Sequence, residues 1–264
     1  MVKLITVCGV TATPFPLAGH AMRFWRRHGV DQIAVVLHRP PRSDPGVAEP
    51  FRKVFLEYGA SVHDWVDTFN SFKKTDQMRE VLKTALVPRP EDWILVSDMD
   101  EFPDFLGFTA KDYLRSLPPP IDAVHGHLLD HVAPGGLLPV MTDGNLADQY
   151  PLVSYATATW GCIDKVVAVR NGIEWTHGHH LILKDGVMYG LSSPWSSKLS
   201  LQVHHFKWDA TVVDRLWERG KVHRRDKAGI PHWREAIFEW MHIRKNGGIT
   251  LSALPDTSGI RKFL

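Results

Sequence analysis

Cysteine is scarce in this chain: 264 residues carry two, Cys8 and Cys162, and neither belongs to a C-x-x-C pair. No disulfide framework or structural zinc site is implied, and a reducing compartment is the expectation. Charge of one sign is lacking too. With 31 basic and 29 acidic residues the net charge is +2, which gives no global pull toward nucleic acid. No uninterrupted apolar run approaches the roughly 18 residues of a membrane span. The apolar stretch Leu4 to Val10 is short, has only Lys3 before it and no cleavage site after it. It reads as a first strand rather than a secretory leader, so a cytoplasmic location is expected. That strand ends in Cys8-Gly-Val-Thr-Ala-Thr13, whose single glycine fits neither the dinucleotide fingerprint nor the P-loop. A Rossmann dehydrogenase and a Walker-type ATPase are disfavoured accordingly.

Alternation of two periodicities is what the first hundred residues do have. Leu17, Ala18, Ala21, Met22 and Trp25 fall on one helix face, and Ile33 to Leu37 reads as a second strand. Phe51, Val54, Phe55 and Tyr58 mark the next helix, Gly59 stops it, and Ser61 to Val66 can form a third strand. Met78, Val81, Leu82, Ala85 and Leu86 then mark a third helix before Pro88 and Pro90. Such a β-α series predicts a parallel sheet with right-handed crossovers. A hydrophobic fraction of 44% supports a full core, and no repeat or long linker divides the chain.

The stretch that carries chemistry follows those prolines. Trp93 to Asp98 is an apolar run too short for a helix, and it delivers Asp98 and Asp100 to the carboxyl end of a buried strand, ahead of a turn marked by Pro103. Ligands of open α/β sheets bind at that edge. Two carboxylates spaced by the strand period project to one side while the chain stays extended, and they repel unless a cation joins them. A hard divalent ion such as Mg or Mn, bridging the acids to substrate phosphates, answers that repulsion. A solvated turn with helix-capping acids is the bland alternative.

Asp98-Met-Asp100-Glu101-Phe102 resembles the DxDEF signature of a branch of family-2-like glycosyltransferases. Leu129 to Gly135, Gln149-Tyr-Pro151, Lys165-Val-Val, Gly178-His179-His180 and His204 to Trp208 agree with it in order, so the resemblance runs to about Arg219. It implies an α/β fold of the GT-A type, the Rossmann-like architecture of nucleotide-diphospho-sugar transferases, with a mostly parallel central sheet and helices on both faces. It further implies Mn or Mg as cofactor, a nucleotide-sugar donor with UDP-sugars favoured, and a glycan or small-molecule acceptor. One domain, 1–264, is expected, with a nucleotide-binding half at 1–102, an acceptor and metal-completing half at 103–208 and C-terminal helices at 209–264. Thr11 and the turn after Leu37 would lie near the nucleotide. Where many members carry an acid after the second strand, this chain has His38 and Arg39.

The remaining candidates are single residues. Lys74, near the start of the third helix, reaches a phosphate or belongs to a solvated helix start, and Lys165 joins Thr11, Lys74 and Asp98 as a donor contact. Fifteen His and ten Trp suit a sugar-nucleotide enzyme, since imidazoles ligate metals and aromatic faces stack on sugars and bases. His177, His179, His180, His204 and His205 form a second cluster. By the resemblance His205, before Phe206, completes a metal shell with Asp98 and Asp100; His204 is the alternative, because neighbouring strand residues face opposite ways. Asp130 is the candidate general base of an inverting transfer, against Asp143, Asp164 and a purely structural carboxylate. Lys207 either stabilises the departing diphosphate or snorkels. The basic run from Arg215 to Lys227 is a solvated face or a contact with an anionic acceptor or membrane surface. Trp233, Ala236, Ile237, Trp240 and Met241 predict a last packed helix. Metal-dependent hexosyl transfer is the leading expectation, a metal-dependent phosphohydrolase or a non-catalytic carbohydrate-binding protein the alternatives.

Overall fold

The computed structural model describes residues 1–155, 163–225 and 240–248. The chain forms two compact units, one from Met1–Leu128 with Asp164–Val203, the other from the described parts of Leu129–Ile163 and His204–Leu264.

In the first unit the alternation is realised as β1 (Val2–Gly9), α1 (Phe15–Arg27), β2 (Gln32–Arg39), α2 (Glu49–Glu57), β3 (Ser61–Val66), α3 (Ser71–Val81) and β4 (Trp93–Asp98). Strands β3, β2, β1 and β4 lie side by side in that order, all parallel. Near-continuous apolar sequence in β1, β2 and β4 is what strands covered on both faces require, and all three are buried along almost their whole length. Helix α1 starts with Pro16 in its first turn and buries Leu17, Ala18, Ala21, Met22 and Trp25, the face that the spacing marks. Gly59, at φ 67°, takes the left-handed conformation that ends α2.

Helix α3 opens on Asn70, whose side chain accepts from the backbone N–H groups of Phe72 and Lys73 at 2.8 and 3.4 Å. Its last turn widens into a π-turn at Leu82–Leu86 and stops at Val87, a β-branched residue at φ 41°. The buried ammonium of Lys3 caps that end: it donates to the carbonyls of Leu86 and Val87 at 2.6 and 3.3 Å and pairs with Asp92 at 3.2 Å.

The chain continues as β5 (Glu101–Pro103), α4 (Ala110–Ser116), β6 (Ala123–Val132), α5 (Leu146–Gln149), β7 (Leu152–Tyr155), β8 (Asp164–Arg170), β9 (Glu174–Trp175), β10 (Ile182–Lys184), β11 (Val187–Tyr189), β12 (Leu201–His205) and α6 (Val212–Arg225). Beyond β4 the main sheet runs β8, β6, β12, β5, and the pairs β4–β8 and β8–β6 are antiparallel. Parallel strands at one side with antiparallel additions make this an α/β fold. The stretch Ile173 to Leu183 holds β9 and β10, joined by a tight turn at His177–His179, and both strands belong to a separate small sheet with β11. Gly178 and His179 take φ of 75° and 59°, which no strand can accommodate.

In the second unit β6 pairs with β7 through Leu129↔Tyr155 to Val132↔Leu152. Residues 143–155 thus carry α5, capped by Asn145, as well as the strand β7. Val132, Trp208, Val212, Leu216 and Ile243 form the core here, with Trp240 packed against it. Cys162, Lys227, Trp233, Ala236 and Ile237 lie outside the described residues. Among those described, no helix is long and apolar enough to cross a membrane.

Candidate active site

Strand β4 ends at Asp98, in register with Val7 of β1, so this carboxylate emerges at the carboxyl edge of the parallel strands. The turn comes earlier than Pro103 suggests. Met99 and Asp100 form it, and Glu101 to Pro103 already belong to β5. Since the chain is not extended between them, the period-two argument that puts Asp98 and Asp100 on one side does not apply. Glu101 closes the turn instead: its Oε2 accepts from the Asp98 N–H at 3.2 Å, and the Ser97 hydroxyl lies 2.8 and 3.0 Å from the carbonyls of Asp98 and Glu101.

Two lysines meet these acids. Lys74 lies on the buried face of α3 with Thr75, Met78 and Val81, not on a solvated helix start. Its Nζ is 2.8 and 3.0 Å from the two oxygens of Asp98. Lys165, on β8, has its Nζ 2.7 Å from Glu101 and 3.8 Å from Asp98, and donates to the Gly178 carbonyl at 3.2 Å. Burial alone would raise the Asp98 carboxyl, yet Lys74 and Lys165 outweigh it and hold the group well below the usual carboxylate range. Burial likewise opposes the Lys165 charge, and Glu101 with Asp98 keeps its pKa above the ordinary lysine value. Asp100 contributes to the same field, acting on Lys165 and on the buried Cys8 thiol, which burial pushes up to about 12.

The third part is His179. It is fully buried, sits in the left-handed region, and neither of its ring nitrogens has a hydrogen-bond partner among the described residues. A buried polar side chain held in the left-handed region without such a partner makes this turn a candidate functional position. Burial, reinforced by Lys74, lowers its pKa far enough to keep the ring neutral at pH 7. Gly178 makes room for the turn, because a Cβ there would come 2.7 Å from the His180 ring. Asp98, Glu101 and His179 each offer an atom within 4.8 Å of the other two. Two carboxylates and a neutral imidazole with unsatisfied lone pairs fit a divalent cation, and the mixed oxygen and nitrogen set suits Mn better than Mg.

Thr11 lies exposed in the turn after β1. His38 is buried, donating through Nε2 to the Asp67 carbonyl at 2.9 Å and packed against Trp65 and Phe69 with ring centroids 4.4 and 5.4 Å away.

In the second unit the strand alternation sorts the histidines as the sequence predicts. His205 Nδ1 lies 2.6 Å from the buried carboxylate of Asp130. His204 faces the other way, its Nδ1 2.9 Å from His131 Nε2, while His131 Nδ1 is 2.9 Å from the Tyr150 carbonyl and its ring stacks on Phe206. Of the other carboxylates considered, Asp143 is exposed and Asp164, in the first unit, pairs with His127 at 2.8 Å. Lys207 Nζ lies 4.4 Å over the Trp208 ring.

The sequence points to Asp98, Lys74 and Lys165 and counts His179 only as one of a histidine cluster able to complete a metal shell; Glu101 is not singled out as a ligand. Glu101 stood three residues from Asp98 within the quoted motif, and Gly178 before His179 was the local sign of a left-handed turn. No family model matches the chain. No curated protein matches it either. Solved structures do, among them the crystal structure of 4-diphosphocytidyl-2C-methyl-D-erythritol synthase, which superposes with a TM-score of 0.33 at 15% identity over 64% of this chain and 72% of that one.

Proposed function

We propose that the protein is a metal-dependent glycosyltransferase that takes its sugar from a nucleotide-diphosphate donor, with UDP-sugars favoured. The observation that carries this reading is the convergence of Asp98, Glu101, neutral His179 and two buried ammonium groups at the carboxyl edge of the parallel strands. Asp98, Glu101 and His179 would hold Mn or Mg, and the cation would supply positive charge against a diphosphate. Asp100 adds negative potential beside them. Lys74 and Lys165 favour the leaving group as its charge grows, which helps the transition state more than the ground state.

The second unit holds a pair with the make-up of a proton acceptor, Asp130 and His205. Asp130 takes the hydrogen bond from His205 Nδ1 and so orients the ring, as the carboxylate of a base pair does. The transfer itself bonds an acceptor oxygen to the anomeric carbon as the carbon–oxygen bond to the diphosphate breaks, with inversion at the carbon.

Calorimetry with UDP and GDP, with and without Mn, on the wild type and Asp98→Asn tests the reading. Binding of one nucleotide that requires both the metal and Asp98 supports it and names the base. Turnover of simple phosphate esters without any nucleotide binding would transfer the same cluster to phosphohydrolase chemistry.

A further inference from the structure

Lys74 has an unusual position for a phosphate-binding lysine. It is 5% exposed, both of its short contacts are to the two oxygens of one carboxylate, and that carboxylate is the member the lysine pair shares with the Asp98, Glu101 and His179 triad. Lys165 differs, since its shortest contact is to Glu101 and it also donates to the Gly178 carbonyl. Asp98 is a weaker ligand for a cation while Lys74 engages both of its oxygens. If the cation takes Asp98, a buried ammonium loses its partner beside a new divalent charge, and both effects are unfavourable.

We propose that Lys74 stands in for the cation on Asp98, and that a divalent cation and a diphosphate therefore bind as a coupled pair, Lys74 passing from the carboxylate to a phosphate oxygen as the cation arrives. This rests on the donor-site reading above and assigns Lys74 the coupling of the two ligands, which the motif does not foresee. Each partner removes the other's cost. The diphosphate re-pairs the displaced ammonium, and the cation relieves the repulsion between the diphosphate and the carboxylates. Reciprocity makes the coupling equal from either side. Neither ligand alone finds the site favourable, so free metal does not saturate it.

The test is electron paramagnetic resonance of Mn²⁺ bound to the full chain, with and without inorganic pyrophosphate, against a protein-free control that subtracts complexes formed in solution. Pyrophosphate is chosen because it carries the shared chemistry without a base or sugar. For the wild type, pyrophosphate is expected to tighten Mn²⁺ about 30-fold, within the usual range of site coupling. In Lys74→Met, Mn²⁺ alone should bind about tenfold more tightly and the enhancement should fall below about threefold. Lys74→Gln, which keeps a hydrogen-bond donor for Asp98 without the charge, should behave as the Met variant does and carries the test if that variant does not fold. His179→Asn, a residue that tolerates the left-handed backbone, should weaken Mn²⁺ binding under both conditions. Equal wild-type affinity with and without pyrophosphate, or full enhancement retained in the folded lysine variants, overturns the coupling and leaves the cation site standing. Absence of Mn²⁺ binding to the wild type under every condition overturns both the coupling and the cation site.

Discussion

His131 Nε2 lies 2.9 Å from His204 Nδ1, and the tautomers of both rings follow from their neighbours. The Tyr150 carbonyl can only accept, so His131 Nδ1 carries a proton. Burial depresses both rings, to about 4 for His131 and about 3 for His204, so each is neutral at pH 7 and His131 Nε2 must be an acceptor. His204 therefore donates through Nδ1 and presents a bare Nε2, buried and without a hydrogen-bond partner among the described residues.

Acid lability follows from this pair and from His125, whose pKa burial lowers to about 4. In the unfolded chain all three rings titrate near 6.5, so below that pH the unfolded state binds more protons than the fold. The stability they protect is present above pH 6.5 and is lost as pH falls toward 4. Each ring contributes about 1.4 kcal/mol per pH unit across that window. Urea unfolding at pH 7, 6 and 5 should show a midpoint falling steeply, and a flat profile would mean that these rings are charged in the native state.

Asp98→Asn should cost stability as well as metal binding, because it leaves the buried Lys74 ammonium without its counter-charge. A loss of about 3 kcal/mol is expected, the lower end for breaking a buried pair, since Asp98 is a quarter exposed. Combining it with Lys74→Met should recover most of that loss. If the double variant is as unstable as the sum of the two single ones, the pair does not contribute as a unit.

Gly126, inside β6, cannot accept a side chain. A Cβ would come 2.5 Å from Val203 Cγ2 and 2.9 Å from the Leu201 carbonyl oxygen, and the backbone oxygen has no freedom to move aside. Gly126→Ala should destabilise by about 1–3 kcal/mol through overpacking, read as a shift in the chemical denaturation midpoint at unchanged slope.

Asp130→Asn and His205→Gln should each lower kcat by about 10²-fold or more if the pair acts as one proton acceptor, and the double variant should be little worse than either. KM for the donor should stay near the wild-type value. Additive losses would separate the two residues into independent roles.

Much of the fold was legible from local chemistry. The spacing of Leu17 to Trp25 marked α1, the continuous apolar runs marked β1, β2 and β4, and Gly59 marked the end of α2. Asp98 could be placed at a strand end for the same reason. Asp100 could not be placed beside it, because the turn position depends on Glu101 reaching back to the Asp98 N–H, a side-chain bond with no periodic signature. Lys74 looked solvated since its sequence neighbours are polar, and only the packing of α3 buried it.

By itself, then, the sequence determined which segments are strands and helices in the first hundred residues and which acid stands at the sheet edge, because those depend on side-chain period and on turn formers that act within a few residues. Tertiary structure alone decided that Lys74 neutralises Asp98, that Lys165 does so for Glu101, and that His179 rather than its neighbours faces them. Those partners lie 24, 64 and 81 residues from Asp98 or Glu101 along the chain, counting 98 − 74, 165 − 101 and 179 − 98. The parallel strands and the turn at Gly178 bring them together, and the cost of leaving charges unpaired in a low-dielectric interior selects the pairing.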